Sequence, residues 1–416
     1  MKFNSSEFKI CKRCLYTTYH PLGLVIDENG ICSGCKIHEE KDQIDWGFKK
    51  QKLEKFVQDY RSKSGKNYDC IVPVTGAHDS YYILHLVKNV LKLNPLCVSY
   101  NKYYNTEVGI RNLANLRIKF NVDIFIQNVN PNSVKKITRH TLAQYGSIYW
   151  HCLAGQTVFP VQTSVKYKIP LIIWGAHQGM EQVGMFSHNH EVEMTRRYRK
   201  DHDLFGVEAE DLCDHSGSLA EEDVWQYLYP TDFDLHVTGT RGIYLGNFFR
   251  WDPMAQHEEM IKLYDYKSAI LNRTPDVYDY IDCFNYSNLH DWIKLKKTGY
   301  SKVTDHVTRE IRHKRITREQ AISVVKHFEF KEPMYQKEFL DWLHLDLRSF
   351  QFIIEQHQHP YFWKEVEYRN YQFVGPSTYF EENSEKENRL VWPTTSNEYK
   401  KKNNHYVTIG KGYPDL

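Results

Sequence analysis

The chain has 416 residues, enough for one large core or two ordinary ones. At 41% hydrophobic, 14% aromatic and 25% charged, its composition is that of a folded globular protein and excludes a disordered chain. A formal net charge of +2 gives no whole-protein field to draw in nucleic acid or a membrane surface, so neither is expected as a partner.

The start, Met1-Lys2-Phe3-Asn4-Ser5-Ser6-Glu7, has no apolar run of the kind a signal peptide needs. No stretch approaches the ~18 uninterrupted apolar residues of a membrane span. The expectation is therefore a cytoplasmic protein, and nine Cys in a reducing compartment do not read as a disulfide framework.

Residues 1–40 form the first unit. Cys11-Lys12-Arg13-Cys14 and Cys32-Ser33-Gly34-Cys35 are two Cys-x-x-Cys pairs with seventeen residues between them. Each pair can put two thiolates on one ion, and two pairs complete a tetrahedron, which is the pattern of a structural zinc site. With sulfur at all four positions, no coordination site is left for catalysis. A redox dithiol, which needs only one pair, and a cluster site are the alternatives. Cys70, Cys97, Cys152, Cys213 and Cys283 have no such spacing, and Cys70 and Cys97 read as core residues of apolar strands.

A polar helix is expected over residues 41–67, then a strand over 68–74. After the turn Thr75–Ser80 comes a helix with Tyr82, Ile83, Leu86, Val87, Val90 and Leu91 on one face. Strands follow at Pro95–Tyr100, 123–127 and 170–175, with helices over about 106–120, 132–144 and 150–167. This alternation predicts an α/β fold whose parallel sheet is covered on both faces. Right-handed crossovers put the strands' C-terminal ends on one edge, where ligands of such sheets bind. The α/β domain is expected to span 41–186 and 235–252, with an inserted lid or subdomain over 187–234. A helical region covers 253–345, and a polar, aromatic tail covers 346–416.

The turn after the first strand carries the chemistry. A strand, a short small-residue turn and a helix opening on Asp79-Ser80 can bind phosphate at the helix N-terminus. Gly76 and Ala77 leave room for phosphate oxygens, Thr75 and Ser80 add hydroxyl donors, and Asp79 can hold a magnesium ion. The spacing lacks the Gly-Lys-Ser/Thr of ordinary nucleotide triphosphatases and any dinucleotide glycine pattern. The alternative is an Asp/Ser-capped helix with no ligand.

Other polar groups fall on the same edge. His177 and Glu181, four apart after the 170–175 strand, could face one ligand, and Asn101–Thr106 follows the second strand. The run from Gly242 to Asp252 mixes aromatics with Asn, Arg and Asp, which suits stacking on a ring. Thr304–Arg312 packs Asp305, His306, Arg309 and Arg312 into about two helical turns. Arg309 and Arg312 share a face and could clamp an anion; a solvated helix surface is the alternative. His188 and His190 read as a mobile surface pair rather than a metal site.

The Thr75–Ser80 turn resembles the PP-loop, Ser-Gly-Gly-any-Asp-Ser, of ATP pyrophosphatases, with Thr75 for the first Ser and Ala77 for the second Gly. Together with the N-terminal Cys pairs, the run Trp251–Glu258, the run Gly299–His306 and the segment Arg315–Ile322, the chain resembles the N-acetyl sugar amidotransferases over roughly residues 8–345. These are bacterial enzymes of surface-glycan biosynthesis, serving lipopolysaccharide O-antigens and flagellin sugars such as pseudaminic and legionaminic acids. The family usually has Lys where this chain has His78.

The resemblance implies a PP-loop (adenine nucleotide alpha hydrolase-like) fold and conversion of a sugar acetamido group to an acetamidino group. ATP adenylates the amide oxygen, and ammonia displaces AMP. It implies ATP, Mg2+ and Zn2+ as cofactors. The ammonia would come from a separate glutaminase of the histidine-biosynthesis type, with a cyclase-like partner. Carried over by position, Thr75, Gly76, Ala77, His78, Asp79 and Ser80 would bind the ATP phosphates, and Cys11, Cys14, Cys32 and Cys35 would bind zinc. Asp79, Ser80, His177 and Glu181 are the expected catalytic set; Asp252, Asp305, His306 and Arg309 are the expected sugar or adenylate contacts. Two other readings stay open: a PP-loop enzyme that thiolates tRNA, which calls for a basic groove and a Cys near the sheet edge, and a non-catalytic scaffold for a glutaminase.

Overall fold

The computed structural model describes residues 8–213, 219–380 and 392, and the backbone of 407–409. Its centre is a five-stranded sheet. The chain's strands are β1 (Cys70–Pro73), β2 (Pro95–Tyr100), β3 (Tyr104–Thr106), β4 (Ile124–Gln127), β5 (Leu171–Trp174), β6 (Arg241–Tyr244), β7 (Trp363–Glu367), β8 (Asn370–Phe373) and β9 (Val407–Ile409). The main sheet runs β4-β2-β1-β5-β6 with every pair parallel, so β1 is central and all five C-terminal ends share one edge. β3 pairs with β9 and β7 with β8, both antiparallel.

The period of two along the strands decides which residues meet which layer. Cys70 and Val72 point to one face and pack with Tyr81, Leu84, Leu113, Leu116 and Met260 from the helices His78–Leu84, Glu107–Phe120 and Pro253–Tyr264. Ile71, Leu96, Val98 and Ile172 point to the other face and pack with Val161 of the helix Trp150–Tyr167. Burying each such aliphatic side chain contributes about 1.5–3 kcal/mol. Cys70 and Cys97 lie in this core, as expected.

The helix Trp150–Tyr167 contains Pro160. Proline has no N–H, so the carbonyl four residues back, that of Gln156, loses its helical donor. Both residues lie on the wall of the central cavity.

The segment between β5 and β6 packs down onto this layer. Leu204, Ala209, Leu212, Leu219, Val224 and Tyr227 join Tyr100, Trp150 and Ala154 in one apolar cluster. His188 is buried and His190 exposed, so they are not the expected surface pair. The run Gly242–Asp252, expected to suit stacking on a ring, opens with the edge strand β6, whose Ile243 lies in the core.

Five helices follow the loop 265–288: Leu289–Thr298, Lys302–Arg312, Arg318–Phe328, Gln336–Leu343 and Leu347–His357. The β7–β8 hairpin continues this region, with Phe362 and Trp363 against Leu295. Among the described residues, no helix is long and apolar enough to cross a membrane.

Candidate active site

A cavity of about 340 Å³ opens at the C-terminal edge of β1 and β5. Thr75, Ala77, His78, Asp79 and Ser80 line one side of it. The loop is held by its own side chains: Ser80 Oγ accepts from the Thr75 amide at 2.8 Å, and Thr75 Oγ1 accepts from the Ala77 amide at 3.1 Å. Ala77 is the N-cap of the following helix at φ −89°, ψ 164°, a backbone conformation any residue adopts, so its methyl is unstrained. Asp79 Oδ1 accepts from the Ser80 amide at 2.8 Å, inside the first turn where the helix dipole favours a negative charge. Burial pushes its carboxyl above the ordinary value; Asp279 and Asp282 add to that push against the opposing pull of His78. Both ring nitrogens of His78 are buried without a hydrogen-bond partner.

Gly76 is not among the lining residues. A Cβ there would sit 2.2 Å from the carbonyl oxygen of Gly109, and a Cβ on Gly109 would sit 2.5 Å from Cα of Asp282. The glycine therefore serves a three-layer backbone contact that joins the loop to the 265–288 segment, rather than leaving room for phosphate as expected.

The opposite wall is the helix Lys302–Arg312. Its charged residues face inward rather than into solvent: Lys302, Asp305, His306, Arg309 and Arg312 all line the cavity, and Lys302, Asp305, His306 and Arg312 are buried. Asp305 accepts from Tyr16 Oη at 2.8 Å and from Lys294 at 2.9 Å. Burial opposes its charge, yet Lys294, His20 and Lys302 hold its carboxyl well below the usual range. His306 bonds Thr274 at 2.6 Å and Asp279 at 3.1 Å. Arg309 holds Asp276 at 2.5 Å and Tyr278 Oη at 2.8 Å. Lys302 Nζ lies 5.5 Å from the Tyr280 ring centre and 5.2 Å from that of Tyr286. Each of these cations has a protein partner, so Arg309 and Arg312 do not form the expected two-residue clamp.

The four N-terminal sulfurs converge. Cys11, Cys14, Cys32 and Cys35 are buried, with all four ligand atoms within 4.8 Å of one another. Cys11 Sγ accepts from the amides of Arg13 and Cys32 at 3.4 and 3.3 Å, and Cys14 and Cys32 Sγ are 3.6 Å apart. Four thiolates at about 2.3 Å from a common centre give this spacing, so the residues fit one tetrahedral metal ion. Arg312 ties this module to the cavity: Nη1 donates to the carbonyls of Glu181 and Gln182, both at 2.8 Å, and Nη2 approaches Cys32 Sγ at 3.7 Å.

His177 and Glu181 do not meet. His177 caps the helix Gln178–Val183, accepting from the Met180 amide, and its ring packs on Tyr198 and Tyr244. Glu181 lines the cavity and accepts from Lys41 at 2.6 Å. Asp252 is off the cavity wall: it caps the helix Pro253–Tyr264 and holds Arg315 at 2.5 Å. Sequence reasoning missed Lys302, Asp279, Tyr280 and Arg199 on the wall. Pro160 inside an otherwise helical run was the one local signal that this stretch borders a cavity. No cysteine is among the lining residues.

Residues 273–375 match a family described as LPS biosynthesis protein WbpG-like, C-terminal domain. The match runs past residue 345, where the likeness expected from sequence ended, and takes in most of the hairpin region. Over 118 residues the chain is 30% identical to an uncharacterized protein of Methanocaldococcus jannaschii, covering 28% of this chain and 42% of the relative. The chain thus matches less than half the length of that relative. Among solved structures, an ammonia-dependent NAD synthetase from Campylobacter jejuni aligns with 35% of this chain and 62% of its own, at 16% identity and a TM-score of 0.28.

Proposed function

We propose, for a chain that carries a WbpG-like C-terminal domain over residues 273–375, that it is an ATP-dependent amidotransferase acting on an N-acetyl sugar of a surface glycan. The observation that carries this reading is the juxtaposition of the Thr75–Ser80 loop with the Lys302–Arg312 helix of that domain across one cavity. The loop has the donors and helix N-terminus a polyphosphate needs. The helix brings the domain's charged residues to the same space.

An amide carbonyl is a poor electrophile. Transfer of adenylate from ATP to the acetamido oxygen, with release of pyrophosphate, makes an imidate whose leaving group is AMP. Attack of ammonia on the imidate carbon, loss of a proton and departure of AMP leave an acetamidino group. Ammonia from a separate glutaminase, with a cyclase-like partner, fits a cavity with no cysteine on its wall.

The residues divide this work. Thr75 and Ser80 shape the loop around the phosphates. Asp79, whose carboxyl is crowded by burial and by Asp279 and Asp282, fits a magnesium ion, which would neutralise phosphate charge. Lys302 supplies positive charge toward the departing phosphates from a water-poor wall, where it counts for more than in bulk solvent. The four buried sulfurs fit zinc in a structural role.

The test is incubation with ATP, magnesium, ammonium and a panel of free and nucleotide-linked N-acetyl sugars, following AMP, pyrophosphate and sugar mass. Formation of AMP with a sugar whose mass shows oxygen exchanged for NH is expected. Absence of AMP and of any amidine across the panel would overturn the reading.

A further inference from the structure

Beside the phosphate loop, on the neighbouring strand ends, lies a second group of polar side chains that the reaction outlined above does not use. Arg199 is 9% exposed and sits on the cavity wall with Trp174 and Tyr244. Its guanidinium lies 4.3 Å over the Trp174 ring and 5.8 Å from the Tyr244 ring centre. Asp203 accepts from Nη1 at 2.5 Å and is itself held by His202 at 2.8 Å. That pairing uses one corner of the fork. The other edge, Nε and Nη2, is buried with no hydrogen-bond partner.

The unpaired edge has company. Trp174 Nε1 and Tyr244 Oη, on the same wall, are also buried without partners. Trp174 has only a donor to offer, and the Tyr244 hydroxyl can donate as well. The set is thus rich in donors, and Asp203, the carboxylate on this part of the wall, is already engaged. A buried guanidinium edge without an acceptor is costly. The ligand group that relieves it is planar or tetrahedral, anionic and able to take two parallel N–H bonds.

We infer that Arg199, backed by Trp174 and Tyr244, is an oxyanion subsite that grips a carboxylate or phosphoryl group of the acceptor substrate at the ends of β5 and β6. The subsite deepens the amidotransferase reading and rests on it for the identity of the acceptor as an N-acetyl sugar. It lies one strand over from the loop that would take ATP, so the acceptor's charge and the ATP phosphates have separate anchors. Specificity follows: an acceptor lacking the anion leaves the Arg199 edge unpaired and is rejected.

Calorimetric titration of the full chain tests this, with and without magnesium and a non-cleavable α,β-methylene ATP analogue. One pair of probes is N-acetylneuraminic acid and its methyl ester; the other is N-acetylglucosamine 1-phosphate and N-acetylglucosamine. The first pair reads a sugar carboxylate and the second a phosphoryl group. At least one charged probe is expected to bind wild type about tenfold to hundredfold more tightly than its neutral mate. Arg199→Gln should erase that difference, and Arg199→Lys should restore part of it. Trp174→Phe, which keeps the ring and removes only the N–H, should weaken the same charged probe a few-fold and so covers an Arg199 variant that fails to fold.

Equal binding within both pairs by wild type, or discrimination that survives Arg199→Gln, overturns the subsite. A loss in Arg199→Gln confined to the ATP analogue also overturns it, by making Arg199 an ATP contact. Failure of wild type to bind the ATP analogue, with the charged-probe preference intact, strikes the ATP reading and leaves the subsite standing.

Discussion

Arg312 approaches Cys32 Sγ at 3.7 Å with one corner of its guanidinium and holds the Glu181 carbonyl at 2.8 Å with another. One side chain therefore connects the four-sulfur module, 280 residues away in sequence, to the helix Gln178–Val183 beside the cavity. Sulfur charge on the module raises the guanidinium's hold on its proton: burial works against it, and Cys14, Cys35 and Cys32 outweigh burial.

That link makes the module part of the site's geometry. Purified chain should contain zinc equimolar with protein by metal analysis. Arg312→Leu should keep the zinc yet lower the rate of AMP formation by about tenfold to hundredfold, as outer-layer partners of metal sites do. Unchanged turnover in that variant would show that the link carries nothing.

Asp79→Asn should reduce AMP formation by about a hundredfold or more, since it removes the charge that meets the phosphates' cation. Far-UV circular dichroism should show the fold retained, and normal AMP output would take Asp79 out of the site.

Gly76 and Ala77 should behave differently although they are adjacent. Gly76→Ala forces a methyl to 2.2 Å from the Gly109 carbonyl oxygen, and a loss of about 1–3 kcal/mol is expected in urea unfolding. Ala77→Gly relieves no strain, because its backbone is already extended; glycine is accepted at an N-cap, so stability should change by no more than about 1 kcal/mol. Equal effects from the two changes would contradict the packing described.

Glu329 sets a pH dependence. Burial raises its carboxyl from 4.5 to about 8, with Ser377 bonded to it. The folded chain then keeps a proton that the unfolded chain has lost across that window, so this group's effect is to make stability fall as pH rises through it. Glu329→Gln mimics the protonated form. Its Tm should match wild type near about pH 5 and exceed it increasingly toward about pH 8.5, by on the order of a few kcal/mol in stability. A constant Tm difference across that range would mean that Glu329 does not titrate there.

Arg309 is bound to Asp276, whose side chain is fully buried. Arg309→Ala takes the bonded cation from that carboxylate, leaving it the Tyr278 and Asp279 amides, and should cost about 3–5 kcal/mol in chemical denaturation. Arg309→Ala combined with Asp276→Ala should recover part of the loss.

Local patterns were legible in the sequence. The strand Pro95–Tyr100 and the four-sulfur module could be read because each is written in contiguous residues with a fixed period or spacing. β6 was not, because four residues at a sheet edge, with Gly242 among them, give no alternation to count. The His177/Glu181 pairing failed for a local reason: an N-cap residue lies outside the helical period, so the four-residue rule does not apply across it. The inward polar face of the Lys302–Arg312 helix inverts the usual rule, since charge there is matched by Asp276, Asp279 and Tyr16 from distant segments. Those partners sit in loops without periodicity, and only the fold brings them together.

The stacked contact of Gly76 on Gly109 on Asp282 has a bearing on how this chain could change over generations. The loop, the helix Glu107–Phe120 and the 265–288 segment meet there at main-chain distance, and side chains at those two glycines have nowhere to go. That seam is closed to variation, because any side chain at either glycine collides with main chain. Variation is channelled instead to the segment between β5 and β6, where Arg199 sits on a wall built of side chains. A lineage can reshape that wall while the Thr75–Ser80 loop keeps its place.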